Sequence, residues 1–498
     1  MSIHELEALD QSGWNRKTAR HLLNRAGFGV PLERVDQLEK LKLHQAVDEL
    51  VKTEQAGELF KEPEGLVPPR SYKELKESYQ QMDADERRQM TKMNRRQERQ
   101  AIDGLKSWWV DRILHTERPL QEKMTIFWHG HFATSAQKVK SSTFNYNLNR
   151  VFREYGLGNF KTLVTQVSQS PAMMIYLDNR KNIKGRPNEN FARELMELFT
   201  VGIGNYSEED IKESARAFTG WTSDAEGRFV FNRRKHDSGK KTFLGHTGQF
   251  DGYDIIRILC ERPVMAEFMS KKLWEFFVYE NPDEKLVKQL AIQLRQSDYE
   301  IKPFLRKIFL SREFYSGRAM HQQIKSPAQL LVNLVDQLQL DSKKVPQRLF
   351  QYAMRAMGQD LFYPPNVKGW PGNRAWINSN TLLTRYNMGA FVLYGRGPFG
   401  SGRGRSMAPA GRNKGLSAPF DANTFFERYE NKTAGQTIDL LADHFVGRSL
   451  DKEQRKVLLE VIHPDASESL RIPKSQKSTA RLLGVVHLIL STAEYQLC

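Results

Sequence analysis

Apolar residues return at helical spacing along most of this chain. The stretches "KTARHLLNRAGFG", "GLKSWWVDRILH", "NFKTLVTQVSQS", "PVMAEFMSKKLWEFFV", "PFLRKIFLSREFY" and "PAQLLVNLVDQLQL" each set them three and four positions apart. A stripe of that period is buried by packing against other helices, whereas a half-buried strand needs alternation. Pro119, Pro171, Pro263, Pro303 and Pro327 stand at the front of such stretches, where a fixed φ and a missing N–H suit the first helical turn. The expected fold is therefore mainly α, an irregular multi-helical body. One small β-hairpin is expected near residues 228–245, pairing "GRFVFNRRKH" with "KKTFLG", because Phe229, Val230 and Phe231 are β-prone and glycines flank them. No internal repeat of solenoid length recurs.

A chain of 498 residues exceeds what one compact core organises. The expected partition is a main helical domain at 1–395, a flexible Gly/Arg-rich linker at 396–417 and a C-terminal helical subdomain at 418–498 packed on the body. Residues 72–100 combine strong helix propensity with almost no apolar stripe and read as a projecting charged helix or arm. With 39% hydrophobic residues, including 28 Phe, the chain can fold without staples, so its many charges do not mean disorder. Only Cys260 and Cys498 are present, which excludes a disulfide framework and a cysteine-rich zinc site. No apolar run reaches membrane-spanning length and the amino terminus has no secretory core. The chain is expected not to span a membrane, and to be cytoplasmic as written or exported if a leader was trimmed. A formal charge of +16 favours anionic partners, but Lys and Arg are scattered, which points to non-specific attraction rather than specific nucleic-acid binding. No phosphate-binding loop, dinucleotide fingerprint or nucleophile elbow appears.

Candidate chemistry sits in four places. In "KMTIFWHGHFATS", His129 and His131 are two apart; on a regular helix their side chains diverge by about 160°, and they share a face only if the helix ends at Gly130. In "GRPNENFARELMELF", Asn188 suits an N-cap. Glu189, Asn190, Arg193, Glu194 and Glu197 then form a polar arc opposite Phe191, Leu195, Leu198 and Phe199. That arc reads either as a solvated face with Glu189–Arg193 and Arg193–Glu197 ion pairs or as one wall of a cleft. "HDSGKKTFLGHTGQFDG" offers His236, Asp237, Lys241 and His246 on a glycine-punctuated loop, either for a ligand or for a turn. "FYPPNVKGWPGNRAWINSN" offers Tyr363, Asn366, Trp370 and Trp376, to stack on and hydrogen-bond a ring or to plug the core.

The blocks "HLLNRAGFG", "FWHGHFATS", "GRPNENFARELMELFTVGIGNYSEEDIKESARAFTGW", "HDSGKKTFLG", "FDGYDIIRIL" and "FYPPNVKGWPGNRAWINSNTLLTRYN", taken in order, resemble the large bacterial family known as domain of unknown function 1800, from about residue 17 to the carboxyl end. The resemblance implies a predominantly helical bacterial protein, often carrying an export leader and often encoded beside a phosphatase- or sulfatase-like protein. As written, the amino terminus is expected to lack that leader, so export rests on one having been trimmed.

Two functional readings follow. One is a hydrolase of a polar, anionic or glycan-like substrate, with Glu194, Glu189, His131, His129 and His236 as the catalytic set, a divalent metal as the candidate cofactor, and Asn190, Arg193, Asp237, Lys241, Asn366 and Trp376 holding substrate. The other is a noncatalytic binding or assembly partner of the phosphatase- or sulfatase-like protein.

Overall fold

The computed structural model describes residues 6–52, 61–69, 74, 77–78, 80, 82–224, 226–342, 345, 347–395, 420–465 and 467–498. The expected linker at 396–417 lies outside them. Helices dominate, and the strands among the described residues form two separate two-stranded sheets. Proline punctuation explains several helix starts. Pro119, Pro171, Pro263 and Pro327 open the helices Pro119–His131, Pro171–Tyr176, Pro263–Phe277 and Pro327–Gln337, while Pro303 lies in the first turn of Ile301–Leu310.

The chain forms two compact units that interleave along the sequence. The first comprises Met1–Ala8, Val47–Ser311 and Asp360–Trp370; the second comprises Leu9–Ala46, Arg312–Gln359 and Pro371–Cys498. Residues 420–498 thus group with two earlier segments.

In the first unit, the helix Ala84–His115 begins with a reciprocal cap between Asp83 and Glu86. Its outer half, to residue 100, is largely exposed, and from Ala101 onward Ile102, Leu105, Trp109 and Ile113 enter the core. The helix Pro119–His131 is buried almost all round. Trp128 and Phe132 stack with ring centroids 5.6 Å apart, and Phe160 joins them. The carboxylate of Glu122, wholly buried on this helix, accepts from Arg112, from Arg153 and, at 3.0 Å, from Trp109 Nε1.

The strands pair differently from the expected hairpin. Phe229–Phe231 pairs with Trp221–Ser223, and Lys241–Phe243 pairs with His246–Gly248, each antiparallel. The reason is local: Asp224 accepts from the Arg228 backbone and closes the first turn, and Gly245 with Leu244 takes the positive φ of the second. Each run therefore meets its nearest neighbour in sequence.

In the second unit, buried side-chain donors meet main-chain carbonyls. Arg20 donates to the Asp443 and His444 carbonyls at the C-terminal end of the helix Ala434–Phe445, and Gln337 reaches the His444 and Phe445 carbonyls. These donors satisfy carbonyls that a helix end leaves without an internal partner.

Candidate functional site

The helix Pro119–His131 continues through Gly130, so His129 and His131 point to different sides. Gly130 does not end it, because the Phe132 N–H still reaches the Trp128 carbonyl. His129 lies among the rings of Trp109, Phe152, Phe362 and Trp370, with ring centroids 5.3–5.9 Å away. Both ring nitrogens are buried without a hydrogen-bond partner, and burial pushes the imidazole pKa down to about 3. His131 Nε2 meets the Phe199 carbonyl at 3.0 Å, and burial followed by the charge of Lys272 drives its pKa well below the ordinary value. Both imidazoles are therefore neutral near pH 7.

The polar arc starts one residue later than expected, with Glu189 rather than Asn188 at the N-cap, and then changes pitch. Asn188 Oδ1 accepts from the Asn190 N–H at 3.1 Å, and the helix Asn190–Glu194 runs directly into a π turn, Leu195–Thr200. Widening the turn shifts Glu197 out of the register an α-helix would give it. Arg193 consequently pairs with Glu189 at 3.2 Å and with Glu208 at 2.8 Å, while Glu197 accepts from the Tyr206 hydroxyl at 3.4 Å. The predicted Arg193–Glu197 pair does not form. Asn190 is exposed.

Glu194 is the carboxylate of this arc with a second environment. Half-buried, it has a pKa raised by desolvation and by Glu197, with Arg193 and Lys368 pulling the other way. Its charge also raises the Tyr176 hydroxyl, after burial. Tyr176 borders a groove of about 320 Å³ lined by Ser135, Gln137, Lys138, Lys140, Tyr176, Pro364 and Pro365. Lys138 Nζ donates to the Tyr176 carbonyl and to Asp178, both at 2.7 Å. Lys368 is placed by a tight turn in which Asn366 Oδ1 accepts the Lys368 N–H at 2.9 Å and the Asn366 carbonyl accepts the Gly369 N–H at 3.1 Å. Gly369 is required there: a Cβ would lie 2.0 Å from the Gly130 carbonyl oxygen.

The remaining candidates go elsewhere. His236 Nδ1 meets the Thr219 carbonyl at 2.9 Å, and its ring stands edge-on to Phe231. Asp237 takes the Arg216 guanidinium and the Gly239 N–H; the Arg216 hydrogen bond, against opposing desolvation, lowers its pKa to about 2. Lys241 is buried and donates to the Asp237 and Gly239 carbonyls, closing the loop on itself. Trp376 belongs to the second unit, buried with Gly358 against its ring. Among the described residues no group of three or more His, Cys, Asp or Glu side chains is placed to hold a metal ion.

Three sequence blocks thus meet around Tyr176: the residues after His131, the arc through Glu194, and the Pro364–Lys368 turn. A family described as "Protein of unknown function (DUF1800)" matches residues 21–497, nearly the whole chain. The chain belongs to this family. No curated protein and no solved structure matches this DUF1800 chain. Among its described residues no helix is long and apolar enough to cross a membrane. Ser135, Gln137, Lys138, Lys140 and Tyr176 carried no signal in the sequence beyond the position of Ser135 within "FWHGHFATS" and of the others downstream of it.

Proposed function

We propose that this DUF1800 protein binds a polar, anionic ligand in the groove beside Tyr176. The observation that carries this reading is the convergence of two lysines, a serine and an amide on one groove, against the rigid floor of Pro364 and Pro365. Lys138 is oriented by Tyr176 and Asp178 and keeps one of its three ammonium protons for a ligand. Lys140 is exposed at the same groove. Ammonium groups give charge-assisted hydrogen bonds to sulfate, phosphate or carboxylate oxygens, and Ser135 and Gln137 add neutral ones. A binding role also accords with the phosphatase- or sulfatase-like partner that the family resemblance implies.

A second reading, hydrolysis, is favoured by Glu194. A carboxyl group whose pKa is raised by desolvation and by a neighbouring carboxylate is better suited than an ordinary one to deliver a proton to a leaving group. His129 and His131 take no part in it.

Titration calorimetry with inorganic sulfate, inorganic phosphate and glucuronate tests the first reading. Binding is expected to weaken at least tenfold in the Lys138→Ala/Lys140→Ala double variant, about 1.4 kcal/mol or more. Unchanged binding in that variant, or no binding of any probe to the wild type, would overturn it. For the second reading, Glu194→Gln is expected to abolish turnover of a sulfated or uronic-acid glycoside while leaving ligand affinity within a factor of a few; turnover surviving in Glu194→Gln would remove it.

A further inference from the structure

Two loops of the first unit carry a concentration of positive charge that neither the groove nor the core uses. The first, residues 180–186, reads RKNIKGR; the second, the 3-10 turn Arg233–Lys235, follows the strand Phe229–Phe231. Arg180, Lys184, Arg186, Arg233, Arg234 and Lys235 are all exposed, and among the described residues none of them forms an ion pair. The nearby acids are already occupied: Asp178 holds Lys138 and Lys181, and Asp237 holds Arg216.

The fold brings the loops together by backbone contacts. The Lys184 N–H donates to the Lys235 carbonyl at 2.8 Å. Gly220 joins both loops: its N–H donates to the Asn182 carbonyl at 3.1 Å, and its carbonyl accepts from the Asn232 N–H at 2.8 Å. The Asn182 side chain is buried and donates to the Ala215 carbonyl at 2.8 Å, anchoring the first loop from beneath. Exposed like charges held close together repel one another and raise the local concentration of anions, and a bound polyanion relieves that repulsion.

We propose that this paired-loop surface is a docking site for a linear acidic polysaccharide. The observations favour that polyanion over others. Neither loop presents a helix or a two-stranded ribbon that could enter a duplex groove, and neither sequence contains an aromatic residue on which an unpaired base could stack. Neither presents a large exposed apolar side chain for insertion into lipid. Long, flexible cationic side chains from two loops match a chain whose sulfates or carboxylates recur at intervals, with the exposed Gly185 among them leaving room for sugar hydroxyls. The surface stands independently of the groove, although Asp178 bonds both Lys138 of the groove and Lys181 of the first loop.

The test is equilibrium binding of a sulfated glycosaminoglycan oligosaccharide to the full-length chain over a series of salt concentrations. Affinity is expected to fall as salt rises, because bound counterions are released. Arg233→Ala/Arg234→Ala/Lys235→Ala and, separately, Lys184→Ala/Arg186→Ala are each expected to weaken it at least tenfold and to flatten the salt dependence, with melting temperatures unchanged because these side chains are exposed. Lys288→Ala, at an exposed lysine on the helix Glu284–Gln296 outside both the groove and the loops, is expected to bind the oligosaccharide as the wild type does. Wild-type affinity in both loop variants would overturn the proposal. So would an equal loss in Lys288→Ala, or tighter binding at matched charge to a DNA duplex or to phosphatidylserine vesicles.

Discussion

His129 and Glu122 sit seven positions apart on one helix and solve the burial of a polar group in opposite ways. His129 is surrounded by rings and stays neutral. Its folded pKa of about 3 lies below the unfolded value of about 6.5, so the unfolded chain binds more protons between the two. Stability is therefore lost as pH falls through that window, by up to about 1.4 kcal/mol per pH unit for this group. In His129→Phe the acid limb between pH 6 and 4 is expected to be shallower than in the wild type; denaturant midpoints across that range measure it, and identical slopes would contradict the neutral assignment. Glu122 stays charged, because Arg153 and Arg112 outweigh the desolvation that alone would raise its pKa. Removing one partner from such a buried network leaves charge uncompensated, so Glu122→Gln is expected to cost about 3–5 kcal/mol, read from urea unfolding. Neither role is legible from residue type: two histidines at this spacing suggest chemistry, and nothing in the sequence sets Glu122 apart.

At the scale of elements, signals carried by the local chain were legible and those made by pairing were not. Prolines marked the helix starts because they act within one turn. The π turn at Leu195–Thr200 was not foreseen, because the sequence keeps a regular apolar period through it and the widening is held by contacts such as the Thr200 hydroxyl to the Leu195 carbonyl at 2.6 Å. Two hairpins form where the sequence predicts one for a related reason, since β-prone runs do not name their partners. Gly220 shows how much one position controls between elements. It has φ of +82°, and a Cβ there would lie 2.5 Å from the Asn232 carbonyl oxygen. Gly220→Ala is expected to destabilise the fold by roughly 1–3 kcal/mol and to speed amide exchange at Asn232 and Lys184, two of the N–H groups whose bonds hold the basic loops. Unaltered exchange at both would show that the loops are positioned without it.

For the whole molecule, the decisive fact is that the first unit is completed by a segment nearly fifty residues beyond its main run. Asp360–Trp370 belongs with Val47–Ser311. Phe362 is fully buried, its ring centroid 5.0 Å from that of Trp109, and its carbonyl accepts the Ala136 N–H at 2.8 Å. Trp370 covers His129, and Asp360 pairs with Lys106. A linear reading of domains could not find this, because composition shifts at the Gly/Arg-rich stretch and not where the chain passes from one unit to the other. Burying one large aromatic side chain contributes about 4 kcal/mol, against a total stability on the order of 5–15 kcal/mol for a domain. A fragment of residues 1–311, lacking this segment, exposes Trp109 and the His129 cage. It is expected to melt without a cooperative transition and to bind a hydrophobic dye. Joining 360–370 to that fragment through a flexible linker is expected to restore a sharp transition, because the linker adds loop-closure entropy of only a few kcal/mol while returning both rings and the Ala136 bond. Calorimetry of the two fragments decides it: a cooperative melt of 1–311 alone would show that Phe362 and Trp370 decorate the first unit rather than complete it.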